Sequence, residues 1–149
     1  MNSLQPSSPA RLRVLFICIG NSCRSPMADS IALRDVADLF ETPSAGLSAL
    51  GVVQTLTLQT LKGNGYPIES LYSKPILDDA WDAADLVINM SGYPRERAFR
   101  HAIADLCKVE DWDVDDPYGS DPDVYQRTFE DIRSKIEALA ARIRAGQPS

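Results

Sequence analysis

The sequence predicts an α/β fold, a single doubly wound domain in which helices cover both faces of a four-stranded parallel sheet. Short runs of branched apolar residues alternate with helical segments along the 149 residues, as they do when crossover helices join parallel strands. The chain has the length of one domain, and neither a repeat nor a linker divides it. We expect residues 11–145 to form this domain and residues 1–10, rich in Ser and Pro, to form a flexible tail.

The first strand covers residues 14–17 and stops at Cys18. A helix is expected to follow, with Ser25 as its N-cap and Pro26 at its first position, where the missing N–H would have had no helical partner. Its apolar stripe continues to residue 40 and leaves Asp29 on another face. A second, short strand is expected to end in the small residues 44–46.

The rest of the chain continues the alternation. Helices are expected at residues 53–62, 78–84, 94–107 and 124–144, strands at 85–90 and about 106–109, and an irregular loop at 111–122. The last helix carries an apolar stripe at steps of four and three: Tyr125, Phe129, Ile132, Ile136, Leu139 and Ile143. With the flavodoxin-like strand order 2-1-3-4, Cys18 lies at a carboxyl end of the sheet, where ligands of such sheets bind.

Composition argues against several classes of protein. The net charge of −6 and pI of about 4.7 argue against a nucleic-acid partner. The longest apolar run, residues 14–19, is too short to cross a membrane or to act as a signal peptide. Three cysteines, an odd number, do not suggest a secreted disulfide framework. We therefore predict a cytoplasmic protein that binds neither nucleic acid nor membrane.

The loop between Cys18 and Arg24 has the features of an anion site. Its residues are mostly small, so it can curl with backbone N–H groups pointing inward beside the positive end of the next helix. Arg24 can bind two oxygens of a tetrahedral oxyanion, and the same groups favour the thiolate of Cys18. A cysteine at the end of a core strand is more often a small buried hydrophobe. The combination of strand, Cys, Gly-Asn loop and Arg-Ser-Pro helix start favours a nucleophile aimed at phosphorus.

The string C-I-G-N-S-C-R-S-P, residues 18–26, resembles the signature of the low-molecular-weight protein tyrosine phosphatase family, which includes protein-arginine phosphatases and thioredoxin-linked arsenate reductases. The resemblance implies that Cys18 is the nucleophile, that Arg24 clamps the phosphate, and that Asn21 and Ser25 shape the loop and hydrogen-bond the thiolate. It also implies a phosphorylated protein substrate and a phosphate or other oxyanion held by the remaining loop residues, Ile19, Gly20, Ser22 and Cys23.

Two positions depart from the family pattern. The family usually has an aromatic wall where this chain has Leu50, so the rim of the site is expected to be aliphatic. Many members place a histidine, which braces the loop asparagine, where this chain has Leu71. A brace for Asn21 must therefore come from elsewhere or be absent.

Breaking a phosphate ester also requires an acid that protonates the departing oxygen. The lone histidine, His101, is more typical of a surface or packing residue, so the acids of residues 111–122 are the candidates. An Asp-Pro turn is by itself more often structural, but the string D-P-Y-G resembles the general-acid motif of the family. That resemblance implies Asp116 as the acid and Tyr118 at the pocket rim. No metal-ligand spacing or cofactor fingerprint is present, so we expect neither a metal nor a cofactor.

Three activities remain open. The first is hydrolysis of phosphotyrosine through a cysteinyl-phosphate intermediate. The second is hydrolysis of phosphoarginine, because arginine phosphatases carry a small polar residue at the position of Ser22. The third is arsenate reduction, although no relay cysteine is found near residues 89–91 and Cys107 stands alone. A disulfide between Cys18 and Cys23 that protects the nucleophile is a further hypothesis.

Overall fold

The computed structural model describes residues 11–99 and 106–146. The strands are β1 (Leu12–Cys18), β2 (Phe40–Glu41), β3 (Ser44–Gly46), β4 (Leu86–Asn89) and β5 (Val109–Asp111). The helices are α1 (Arg24–Asp35), α2 (Thr55–Gly63), α3 (Asp78–Ala83), α4 (Arg95–Ala98) and α5 (Pro122–Arg144). The α/β class is confirmed. The strand count of four was wrong, because the described ranges contain five parallel strands.

The fifth strand is β2, which precedes the expected second strand and begins at Phe40, where the first helix was expected to end. β2 and β3 both pair with β1, in the same register, on the side opposite β4. Between them lies Pro43, which has no N–H to donate to a ladder. Its carbonyl still accepts a hydrogen bond from the Phe16 N–H at 3.0 Å. The edge of the sheet is therefore one extended segment whose hydrogen-bond ladder is broken near a proline.

β1 is the central strand, and its residues from Val14 to Cys18 are all buried. Helices α1, α2 and α5 pack on one face of the sheet, and α3 packs on the other around Trp81. The expected stripe of α5 is confirmed from Tyr125 to Leu139, which lie in the larger core. Because every strand runs the same way, the carboxyl ends of β1, β3 and β4 meet at one edge, and the loop after Cys18 begins there.

Several expected boundaries were wrong. α1 begins at Arg24, with Cys23 rather than Ser25 at its N-cap, and it ends at Asp35 rather than at residue 40. The chain turns there, and the Phe40 N–H bonds to the Val36 carbonyl at 3.0 Å as Phe40 enters β2. Ser25 does not cap the helix because its hydroxyl faces Cys18 and Asn21 instead.

The expected helix over residues 94–107 is also corrected. α4 covers only four residues of it, residues 106–108 form a 3₁₀ turn, and β5 starts at Val109 instead of residue 106. His101 and the expected tail, residues 1–10, lie outside the described residues. Within the described ranges, no helix combines the length and the apolar character that crossing a membrane requires.

Candidate active site

The carbonyl groups of the loop after β1 accept hydrogen bonds from a neighbouring segment, which fixes the loop in place. Hydrogen bonds from the segment after β3 reach four of them: Leu47 N–H to Cys18 O at 3.0 Å, Ser48 to Ile19 at 2.8 Å, Leu50 to Gly20 at 3.0 Å and Gln54 to Ser22 at 3.0 Å. In a trans peptide the next N–H points opposite to the carbonyl. The amide groups that follow these carbonyls therefore turn toward the inner, concave side of the loop, as an anion site requires.

Two residues allow the loop to close so tightly. Asn21 has a φ of 47°, in the left-handed region that asparagine tolerates better than most residues. Gly46, at the end of β3, lies directly against the loop, since a Cβ there would come within 2.8 Å of both the Asn21 nitrogen and the Ile19 oxygen. A side chain at position 46 would thus push the loop out of place.

Arg24 is fixed at the inner wall of the site. Its side chain is 4% exposed, and Nη1 donates to the carbonyls of Met90 at 2.6 Å and Val114 at 3.3 Å. Nη2 lies 3.5 Å from Asp116 Oδ2. The buried Nε has no hydrogen-bond acceptor in the described part of the chain. Because a buried N–H without an acceptor is costly, the Nε and Nη2 edge is suited to receive the oxygens of an anion.

Cys18 lies at the base of the same site and is 2% exposed. Its Sγ is 3.0 Å from the Ser25 hydroxyl, which in turn accepts a hydrogen bond from Asn21 Nδ2 at 2.7 Å. Both of these partners are fully buried behind the loop. The structure therefore brings Asn21 and Ser25 to the positions from which they can act on the sulfur.

The brace for the loop asparagine comes from three groups other than Leu71. Asn21 Oδ1 accepts the Lys74 N–H at 2.9 Å, and Nδ2 donates to the Ser44 hydroxyl at 3.2 Å. Ser44 then donates to Asp29 Oδ2 at 2.9 Å. Leu71 is instead a partly buried apolar residue that packs against the larger core.

Asp29 is a site residue that the sequence reasoning missed. Burial raises the pKa of its carboxyl group to about 6, opposed by the hydrogen bond from Ser44 and by the positive charge of Lys74. The sequence spacing could have indicated this role. Asp29 lies four residues after Ser25 and therefore on the same side of α1, facing the loop. The apolar stripe of the helix drew attention to the other side.

We expect Asp29→Asn to gain stability relative to the unsubstituted protein as the pH rises. Since the pKa of Asp29 is raised by folding, its neutral form stabilises the folded state below about pH 4, and this contribution is lost as the pH rises through 6. The gain should reach about 2 kcal/mol by pH 8, allowing for partial solvent screening. Urea unfolding at pH 4 and pH 8 measures it.

The control for that experiment is Asp38→Asn, because Asp38 is exposed and its contact with Arg144, at 3.8 Å, lies on the surface. It should show the pH dependence of the unsubstituted protein. An unchanged pH dependence in Asp29→Asn would contradict the buried, raised carboxyl.

Asp116 and Tyr118 form the opposite side of the site. The Asp116 side chain is 46% exposed, contacts Arg24 through Oδ2, and accepts the Tyr118 N–H through Oδ1 at 3.1 Å. Tyr118 and Leu50 are also exposed, at the mouth. The structure therefore places an acid within reach of any group bound to the arginine edge.

One cavity joins these groups. It has a volume of about 220 Å³, and nine of the eleven predicted site residues line it: Cys18, Ile19, Gly20, Ser22, Cys23, Arg24, Leu50, Asp116 and Tyr118. The side chains of the two others, Asn21 and Ser25, are fully buried behind the loop backbone and hydrogen-bond to each other. All eleven predicted residues thus gather around a single concavity at the carboxyl edge of the sheet.

Cys23 is the second thiol at this cavity. It is buried, its Sγ lies 3.6 Å from the Tyr125 hydroxyl, and burial raises the pKa of the thiol. Cys18, Cys23 and Cys107 are all free cysteines. Burial of Cys23 thus favours its neutral thiol over the thiolate.

The chain is similar to proteins that are named for three different activities. It is 31% identical over 130 residues to arsenate reductase 1 of Staphylococcus epidermidis, covering 87% of this chain and 96% of that one. It is 30% identical over 140 residues to EpsP of Ralstonia solanacearum, named a probable low molecular weight protein-tyrosine-phosphatase, covering 89% and 96%.

Among solved structures, the YwlE arginine phosphatase of Geobacillus stearothermophilus superposes with a TM-score of 0.82 at 25% identity, covering 91% of this chain and 95% of that one. The family model described as low molecular weight phosphotyrosine protein phosphatase matches residues 13–148, nearly the whole chain. The protein therefore belongs to the low molecular weight phosphotyrosine protein phosphatase family.

Proposed function

We propose that this protein is a phosphatase that removes phosphate from phosphotyrosine in proteins through a cysteinyl-phosphate intermediate on Cys18. The observation that carries the proposal is that Arg24, which lines the same cavity as Cys18, has a buried Nε that lacks an acceptor among the described residues. A bound phosphoryl group would supply that acceptor and would lie over the sulfur. Inward-facing loop amides would bind its remaining oxygens.

The reaction follows from these positions in two steps. In the first, the Cys18 thiolate attacks phosphorus, the bond from phosphorus to the ester oxygen breaks, and Asp116 gives its proton to that oxygen. In the second, water attacks the thiophosphate, Asp116 takes the proton of the water, and the sulfur leaves as thiolate with inorganic phosphate released. The cycle needs Cys18 as a free thiol, so we place the protein in the reducing cytoplasm.

The mouth of the cavity favours an aryl phosphate. Ile19, Leu50 and Tyr118 contribute apolar surface around the entrance, and Leu50 and Tyr118 are exposed where a substrate side chain would enter. A phenyl ring between a branched aliphatic side chain and a tyrosine ring removes apolar area from water on both of its faces.

Phosphoarginine hydrolysis is the second candidate. Ser22 lines the cavity with a small hydroxyl side chain, the feature that arginine phosphatases share at this position. The similarity of the whole fold to an arginine phosphatase adds support. A guanidinium is polar and planar, so a hydroxyl at the wall would suit it better than an alkyl group.

Arsenate reduction is disfavoured by the position of the third thiol. Cys107 precedes β5, whose last residue, Asp111, is in register with Asn89 and hence with Ile17 of β1. Cys107 therefore lies toward the amino-terminal edge of the parallel sheet, whereas Cys18 ends β1 at the other edge. A thiol relay for arsenate reduction needs a third cysteine at the active site, and Cys107 lies too far away to serve as that residue.

A comparison of three substrates tests the proposal. We expect kcat/KM to be about tenfold higher for a phosphotyrosine peptide than for the matched phosphoarginine peptide, because the mouth is apolar, and we expect no arsenate reduction coupled to thioredoxin. Release of inorganic phosphate and oxidation of NADPH by thioredoxin reductase measure the rates. A faster rate on phosphoarginine would replace the first candidate by the second.

Substitution at the wall sharpens the comparison. Ser22→Ile should lower the ratio of the phosphoarginine rate to the phosphotyrosine rate by about tenfold, since it replaces a hydroxyl at the wall by an alkyl group. Ser134→Ile, at an exposed position on α5, is the matched control and should leave the ratio unchanged. An unchanged ratio in Ser22→Ile would show that this position does not select the substrate.

A further inference from the structure

A continuous chain of hydrogen bonds joins Asp29 on α1 to the candidate nucleophile. It passes from Asp29 to Ser44, from Ser44 to Asn21, from Asn21 to Ser25 and from Ser25 to Cys18, with distances of 2.9, 3.2, 2.7 and 3.0 Å. Its four other members are at most 2% exposed. Water therefore has little access to the polar atoms of these hydrogen-bonded residues. The direction of each hydrogen bond consequently limits the direction of the next.

The direction is set at Asn21 by a backbone group. The Lys74 N–H can only donate, and it donates to Asn21 Oδ1 at 2.9 Å. The amide nitrogen of Asn21 must then face the other way, where its two hydrogens meet the hydroxyl oxygens of Ser44 and Ser25. Both serines accordingly act as acceptors toward Asn21.

Each serine hydroxyl has one hydrogen left to donate. For Ser44 the acceptor is the carboxyl group of Asp29. For Ser25 the choice is Cys18 Sγ at 3.0 Å or the Ala45 carbonyl at 3.3 Å. A thiolate is a charged acceptor and draws this hydrogen more strongly than a neutral carbonyl does.

We propose that Asp29 is a positioning residue for Cys18: by accepting the Ser44 hydrogen, it keeps Ser44 as an acceptor and so helps the Lys74 N–H to hold Asn21 in the orientation that leaves the Ser25 hydroxyl free to donate to the sulfur. Without an acceptor at position 29, the Ser44 hydroxyl is left with a buried, unpartnered hydrogen, or it turns toward the Asn21 amide and displaces it. The contribution to catalysis rests on the proposed phosphatase function, whereas the effect on the thiol does not.

The test measures the reactivity of the thiol as well as turnover. Asp29→Leu removes the acceptor, Asp29→Asn keeps a neutral one, and Asp38→Leu is an exposed control. Alkylation of Cys18 by iodoacetamide is followed from pH 4 to pH 9 by mass spectrometry of its peptide, which separates it from Cys23 and Cys107. Values of kcat and KM for p-nitrophenyl phosphate are measured on the same samples.

In Asp29→Leu, we expect the midpoint of Cys18 alkylation to rise by about one pH unit and kcat to fall about tenfold, with KM changed less than twofold. Asp29→Asn should stay within about threefold of the unsubstituted kcat, because its side-chain oxygen still accepts from Ser44. Asp38→Leu should match the unsubstituted protein. A shift in Asp29→Asn as large as in Asp29→Leu, or an unchanged midpoint in a folded Asp29→Leu, would overturn the proposal.

Ser44→Ala provides a second test if Asp29→Leu does not fold. It removes the link between Asp29 and Asn21, so it should raise the alkylation midpoint to a similar extent, and adding Asp29→Asn to it should have no further effect. A normal midpoint in Ser44→Ala would contradict the proposal. If the midpoint shifts but the unsubstituted protein hydrolyses no phosphate ester, the positioning role stands and the proposed function fails.

Discussion

Cys18→Ser is expected to abolish hydrolysis of p-nitrophenyl phosphate without unfolding the protein. The substitution replaces one buried atom at the end of β1 and keeps a group that can hydrogen-bond to Ser25. A serine hydroxyl ionises far less readily than a thiol, and the described residues that line the cavity include no histidine to deprotonate it. The attacking anion is therefore lost while the anion site remains.

Phosphate release measures this loss, and calorimetry with inorganic phosphate checks that the site is still formed. Binding in Cys18→Ser should stay within about tenfold of the unsubstituted protein, because Arg24 and the loop amides are untouched. Cys107→Ser, an exposed thiol outside the cavity, is the control and should keep full turnover. Turnover by Cys18→Ser would exclude the cysteinyl-phosphate route.

Asp116→Asn should slow hydrolysis by a factor of about 10² to 10⁴, the usual contribution of a general acid. The Asp116 carboxyl group reaches to within 3.5 Å of Arg24 Nη2, at the mouth where the leaving oxygen would emerge. An amide keeps the shape of the side chain but cannot deliver a proton. The loss should be greater for phenyl phosphate than for p-nitrophenyl phosphate, because the more basic leaving oxygen depends more on protonation.

The ratio of the two losses is the informative measurement. Asp115→Asn changes an exposed neighbouring acid that does not line the cavity, and it should slow both substrates equally little. Equal losses on the two esters in Asp116→Asn would argue against proton donation by Asp116. That result would leave it only a role in orienting Arg24.

The position of the loop between β1 and α1 could be predicted from the sequence because its determinants are local. Cys18, Arg24 and the small residues between them occupy one turn between a strand and a helix, so spacing alone constrains their geometry. Asp116 and Tyr118 are distant in sequence and could be placed only through the resemblance of their motif. The structure brings both groups to one cavity.

Other features of the fold and the site depended on long-range contacts, which the spacing of apolar residues in the sequence does not reveal. The apolar spacing predicted that the first helix extends to residue 40. Phe40 is indeed buried, but it belongs to strand β2, where it pairs with Leu12 of β1. On this side of β1 only the strand ending at residues 44–46 was predicted, and β2 was missed because Phe40 had been assigned to the helix. Asp29 was placed only on a face other than the apolar one, and its role was missed because its partner, Ser44, comes from a strand fifteen residues away.

The Arg24 side chain is held in place by the protein itself. Ordering a free arginine side chain costs about 1.5–2 kcal/mol, and here the carbonyls of Met90 and Val114 impose that loss of freedom when the protein folds. Association with an oxyanion then requires no rearrangement of the guanidinium. In the proposed reaction, the released inorganic phosphate would contact the same rigid guanidinium as the incoming ester, so we expect it to act as a competitive inhibitor.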